Sequence, residues 1–208
     1  MLGACLLWVG WFGFNAGSAL AADARAGMAM AVTMIAAAAG TLSWLLAESV
    51  FKGKPSALGA ISGAVAGLVA ITPASGWVFP GPALVIGLAA GIICFWASTS
   101  LKKALGYDDS LDAWGVHGVG GVVGAMLTGV FAVGTLYVTD GDAAKAMAYS
   151  GWLAGNADML VIQAKSILAV AAYSAVATFI LLKIVDVMVG LRVSEEEERE
   201  GLHVPQHG

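Results

Sequence analysis

Residues 158–191 read DMLVIQAKSILAVAAYSAVATFILLKIVDVMVGL, and this stretch decides the fold. It exceeds the roughly 20 mostly apolar residues that a helix needs to cross the hydrocarbon core of a bilayer. Its charges are confined to Asp158, Lys165, Lys183 and Asp186. A helix this long tilts or projects beyond the membrane. Working back from it, similar apolar stretches occur at 2–22, 27–50, 57–73, 82–105 and 113–138. The expected fold is therefore all-α, a polytopic transmembrane bundle of about six spans. Residues 1–191 form the membrane domain and 192–208 an acidic tail.

Composition agrees. Of 208 residues, 59% are hydrophobic and 12% charged, with a mean hydropathy of +0.85. A soluble domain needs roughly 25% charged residues to cover its surface, so much of this surface faces lipid. The net charge of −4 is concentrated in the tail, where 194–201 read SEEEEREG. No basic stripe is present, which leaves nucleic-acid binding without support. Cys5 and Cys94 lie in apolar runs and suggest neither a disulfide framework nor a metal cluster. The opening MLGAC ends like a lipoprotein cleavage box, but no charged region and full apolar run precede Cys5. It reads as the middle of a membrane helix.

Breaks between spans coincide with helix breakers. Lys52-Gly53-Lys54-Pro55 closes one span and opens the next, and Pro73-Ala74-Ser75-Gly76 and Pro80-Gly81-Pro82 mark another turn. Asp108, Asp109 and Asp112 gather at the start of the fifth span, where acids favour the positive helix terminus. A metal role for them lacks neighbouring His or Cys, and helix capping is the expectation. Residues 139–156 form the longest connection. Alternating spans place Lys52, Lys54, Lys102, Lys103, Lys183, Arg192 and Arg199 on one side, against Arg25, Lys145 and Lys165 on the other. The richer side is expected to be cytoplasmic, and the tail with it. Gly59, Gly63 and Gly67 recur every fourth residue, as do Gly87 and Gly91, and Gly120 and Gly124. Such spacing lets another helix press close, and interhelical seams are the expected role.

Polar groups inside a membrane are costly and invite a functional account. His117 lies within the fifth span, bordered by Gly115, Gly118, Gly120 and Gly121. A core histidine bonded to a neighbouring helix is the plain account. A lined pathway is the other, because the glycines leave space beside the ring. A buried imidazole tends to stay neutral and can both donate and accept a hydrogen bond. In the first span Trp11, Phe14 and Ser18 share one helix face. They suit cation–π attraction plus a hydrogen bond to a small cation, or an interfacial aromatic belt. Both readings stay open here. His203 and His207 flank Pro205, which argues against a helical metal pair. No serine or cysteine nucleophile has a recognisable base beside it, so no enzyme, metal or cofactor is expected.

WFGFNAGS at 11–18, VAITPASG at 69–76, DDSLDAWGVHGVGG at 108–121 and GLRVSEEEEREGL at 190–202 together resemble the Amt/Mep/Rh ammonium transporters. The resemblance runs in order over essentially the whole chain. It implies a homotrimer of independent pores that conduct ammonia derived from ammonium. It makes His117 one of two pore histidines and Phe14 one of two stacked gate phenylalanines. Trp11 lies near that gate, and Ser18 helps capture ammonium. Deprotonation before passage would exclude potassium, which cannot shed its charge. The family has eleven helices in two inverted repeats. This chain is similar to the second repeat plus the long last helix, the sixth to eleventh helices. The first repeat's pore histidine, gate phenylalanine, vestibule tryptophan and fifth-helix aspartate have no counterpart in it. Trp114 stands where the family often has phenylalanine, and His203 where it usually has aspartate. The resemblance thus points to an N-terminally truncated transporter. The rival is a non-conducting sensor or interaction module whose tail binds a PII-type signalling protein.

Overall fold

The structure, a computed structural model, describes residues 1–138 and 140–201. The expectations at His203 and His207 lie outside these residues. The chain divides into two compact units, Met1–Lys165 and Ser166–Gly208. Among the described residues every regular element is helical.

In the first unit, α1 covers Leu2–Gly17, α2 Ala24–Lys52, α3 Ala57–Ile71 and α4 Pro80–Trp96. A 3-10 turn, Thr72–Ala74, extends α3. A π turn, Ala97–Leu101, carries α4 into the short α5, Lys102–Leu105. A second π turn, Trp114–Gly118, opens α6, Val119–Phe131. Among the described residues five helical runs are long and apolar enough to cross a membrane. The first expected stretch, 2–22, holds the shorter apolar helix Leu2–Gly17, of 16 residues. It stops before residue 22 because Leu20 takes a φ of 58°, which a helix cannot continue. The fifth span is likewise shorter than 113–138. After Phe131 the chain turns extended at Ala132 (ψ 139°), and the Val133 N–H donates to the Trp77 carbonyl at 2.7 Å.

Local chemistry explains the helix ends. The Asp23 carboxylate caps α2 by accepting from the Ala26 N–H at 2.9 Å, and the Ser56 hydroxyl caps α3 through the Gly59 N–H at 2.9 Å. Glu48, buried near the end of α2, accepts from the Ser56 N–H at 2.9 Å and pairs with Lys52 at 3.3 Å. One carboxylate thereby closes the α2–α3 turn. Leu68, Ile71, Val78, Ile86 and Val32 are fully buried in the core.

The glycines are seams, as expected. A Cβ on Gly40 would meet Gly67 Cα at 3.0 Å, and one on Gly87 would meet Ala39 Cβ at 2.8 Å. One on Gly67 would meet Ala37 Cα at 2.8 Å. Helices α2, α3 and α4 therefore pack nearly backbone to backbone.

The 139–156 connection holds a short helix, α7 (Ala143–Ala148), and a 3-10 turn, Trp152–Ala154. Helix α8, Asp158–Val189, is continuous over 32 residues. Within the second unit its Leu168, Tyr173 and Phe179 are exposed, as suits a helix facing lipid. There α9, Glu195–Glu200, carries an Arg199–Glu195 pair at 2.6 Å, and Arg192 pairs with Glu198 at 3.0 Å.

Candidate functional site

Polar groups at the end of α1 are tied down by neighbouring helices. The Trp11 indole N–H donates to Thr72 Oγ1 at 2.7 Å, and the Thr72 hydroxyl donates to the Leu68 carbonyl at 2.8 Å. Asn15, buried, donates through Nδ2 to Thr33 Oγ1 at 2.9 Å. With both polar side chains paired inside the bundle, α1 is fixed in rotation against α2 and α3. The Trp11 and Phe14 rings then meet edge to face, with centroids 6.3 Å apart and planes at 84°. The Ser18 hydroxyl donates to the Phe14 carbonyl at 2.6 Å, which leaves its oxygen lone pairs to accept. Trp11 bonds inward, unlike an interfacial anchor.

A cavity of about 280 Å³ lies here, with Phe14, Asn15, Ser18, Thr72, Trp77 and Tyr137 in its wall. It offers an aromatic edge, a hydroxyl and an amide to a small polar or cationic solute. Phe14 and Ser18 are thus brought to one site. Trp11 instead lines a neighbouring apolar groove with Leu6, Leu7 and Phe14.

His117 lies outside this cavity. It sits on the Trp114–Gly118 π turn, between buried Val116 and half-buried Gly118, and its own side chain is exposed. Burial of the imidazole is therefore not provided by this chain alone. The surrounding glycines divide their roles. Gly121, four residues on, has open space beside it. A Cβ on Gly115 would stand 3.0 Å from Ser98 N, and one on Gly118 would press on the Trp114 ring. Gly115 therefore packs this π turn against the other one, Ala97–Leu101, and only Gly121 leaves room. π turns recur at functional positions, and this one sets the direction of His117.

The acidic motif is engaged in local bonds. Asp109 accepts from the Ala113 and Trp114 N–H groups at 2.8 and 2.9 Å. Asp112 pairs with Lys102 at 2.6 Å, and Lys102 also donates to the Asp109 carbonyl at 2.8 Å. Asp108 accepts from the Ser110 hydroxyl at 3.4 Å. Among the described residues no group of three or more His, Cys, Asp or Glu is placed to hold a metal.

Sequence reasoning assigned nothing to Thr72, Thr33, Trp77 or Tyr137. Thr72 carries a usable signal, a hydroxyl beside Pro73 at the end of a membrane helix. Trp77 and Tyr137, stacked with centroids 4.6 Å apart, belong to separate loops and give none.

The family model described as Ammonium Transporter Family matches residues 1–208. The chain belongs to the ammonium transporter family. It is 46% identical to the ammonium transporter of Bacillus subtilis over 207 residues, covering 100% of this chain and 49% of that protein. It is also 46% identical to Amt1 of Archaeoglobus fulgidus, covering 100% and 50%. The chain thus spans about half the length of these curated relatives. Among solved structures, Candida albicans Mep2 superposes with a TM-score of 0.84 at 38% identity, covering 94% of this chain and 43% of that one. A Sensor Amt Protein gives 0.84 at 32% identity, covering 100% and 48%. The relatives are named as transporters, not enzymes. Family membership and the apolar helices make this an integral membrane protein.

Proposed function

We propose that this ammonium transporter family chain supplies one side of a pathway for ammonium or ammonia across a cell membrane. The observation that carries this reading is the cavity where Phe14, Asn15 and Ser18 converge. An ammonium ion there would donate to the Ser18 oxygen and meet the aromatic ring by cation–π attraction. Entry of the charged form into hydrocarbon beyond is heavily penalised, so the passing species would be neutral ammonia. Phe14 is the gate, Trp11 sets its edge, and His117 is the pore histidine. The exposure of Phe14 and His117 on this chain fits a pathway whose opposite wall is another helical segment.

Residues 1–191 act as the membrane domain, and 192–208 as a cytoplasmic tail on the basic-rich side. The working assembly is a homotrimer, and the tail is where a PII-type signalling protein would dock. The sensor rival has no specific observation in its favour beyond one similar structure.

The test is uptake of labelled methylammonium into proteoliposomes, comparing the chain with His117→Ala, each reconstituted together with a first five-helix repeat as the opposite wall. Saturable uptake that changes with the substitution is the expected result. Uptake no greater than that of empty vesicles, from protein shown to be folded and inserted, would overturn it.

A further inference from the structure

Trp77, Tyr137 and Arg25 line the Phe14–Ser18 cavity, and in that part of its wall an aromatic cluster already holds a cation. Trp77 and Tyr137 stack at 4.6 Å, and Tyr149 closes on both at 5.7 and 5.6 Å. The Arg25 guanidinium lies over the Tyr137 ring, 5.2 Å from its centroid. Its Nη2 donates to the Ala19 carbonyl at 3.2 Å, and it forms no ion pair among the described residues. The nearby Asp23 carboxylate is engaged with the Ala26 N–H. Arg25 and Tyr137 also line a second cavity of about 430 Å³.

An electron-rich face with a carbonyl beside it is what a small organic cation or ammonium seeks. Unfilled, this face would compete with Phe14 and Ser18 for the same solute, a few side chains from the entrance. We propose that Arg25 is the built-in occupant of the Trp77–Tyr137–Tyr149 cation site. By filling it, Arg25 directs cations that enter this cavity to its Phe14–Ser18 part. Arg25 lines that cavity together with Phe14 and Ser18, so it is a specificity-determining residue in the cavity wall, and its role in transport rests on the reading above.

The probe is tetramethylammonium, which binds aromatic faces but has no N–H to give Ser18. Binding is measured by titration calorimetry on the full chain in lipid nanodiscs. Arg25→Gln should bind it about 3- to 30-fold tighter than the wild type, the range a cation–π contact supports. Arg25→Lys should stay at the wild-type value, because its ammonium refills the face. Adding Tyr137→Leu to Arg25→Gln should abolish the gain. Equal binding by Arg25→Gln and wild type, or a gain that survives loss of Tyr137, would overturn the proposal. Should Arg25→Gln fail to insert, Arg25→Met replaces it; failure of both would make Arg25 a structural staple and also overturn it. Methylammonium binding, followed in parallel on the wild type, reports on the Ser18 site. Its absence alongside the tetramethylammonium gain would sink the transport reading and leave the Arg25 assignment standing.

Discussion

The carboxylates of Asp108, Asp109 and Asp112 are close in sequence yet take different partners. Asp109 holds the two N–H groups that open the His117 segment. Asp109→Ala should therefore lower stability by about 1 kcal/mol, the usual worth of a helix cap. Asp109→Asn, which keeps one acceptor, should cost less. Thermal unfolding in detergent reads both, and a midpoint unchanged in the alanine variant would contradict the capping role. A second carboxylate gives a pH dependence. Asp140 is held below the ordinary carboxylate value of 3.8, first by the Asp142 N–H and then by Lys145. Because the folded value is depressed, its contribution is present above pH 3.8 and is lost as pH falls through the lower folded value. Lys145 is raised above 10.5 by its hydrogen bond to Asp140, so its share is present below 10.5 and lost as pH rises past the folded value. Hydrogen exchange at the Asp142 amide should stay slow at neutral pH and quicken only as pH falls below 3.8 and through the depressed folded value of Asp140, once corrected for intrinsic rates.

At the scale of elements, the tight α2–α3–α4 contact depends on side chains that are missing. Gly67→Ala would push a methyl onto the Ala36 backbone, and overpacking of that kind costs about 1–3 kcal/mol. Gly121→Ala, with open space beside it, should leave stability unchanged. Equal thermal midpoints for the two variants would contradict the seam. The boundaries of α2, α3 and α4 were legible because Lys52-Gly53-Lys54-Pro55 and Pro80-Gly81-Pro82 punctuate them. Residues 132–138 were not, since they are apolar enough to extend a span. What turns them back is a backbone bond from Val133 to Trp77, more than fifty positions away, and no local pattern announces it. The site divides the same way. Phe14 and Ser18 announced themselves by helical spacing, whereas Thr72, Trp77, Tyr137 and Arg25 join it only through contacts between distant segments.

At the scale of the whole molecule, Phe14 and His117 are both left exposed. Assembly against another helical segment should cover both. In a His203→Gln, His207→Gln background, diethyl pyrocarbonate should modify His117 readily in the chain alone. It should fail to do so once an opposite wall is bound. Modification at the same rate in both states would mean the two do not meet at His117. The π turn beneath His117 adds a constraint on how such a wall can evolve. A π turn holds one residue more than the α-helical turn it replaces, so it behaves as an insertion absorbed within a single coil. Deleting one residue from 115–118 would return this coil to ordinary α winding and leave the chain on either side in phase. What would change is the direction in which His117 projects, since it rides on the widened coil. A lineage can lose a letter here and keep the helix, but it loses the aim of its imidazole.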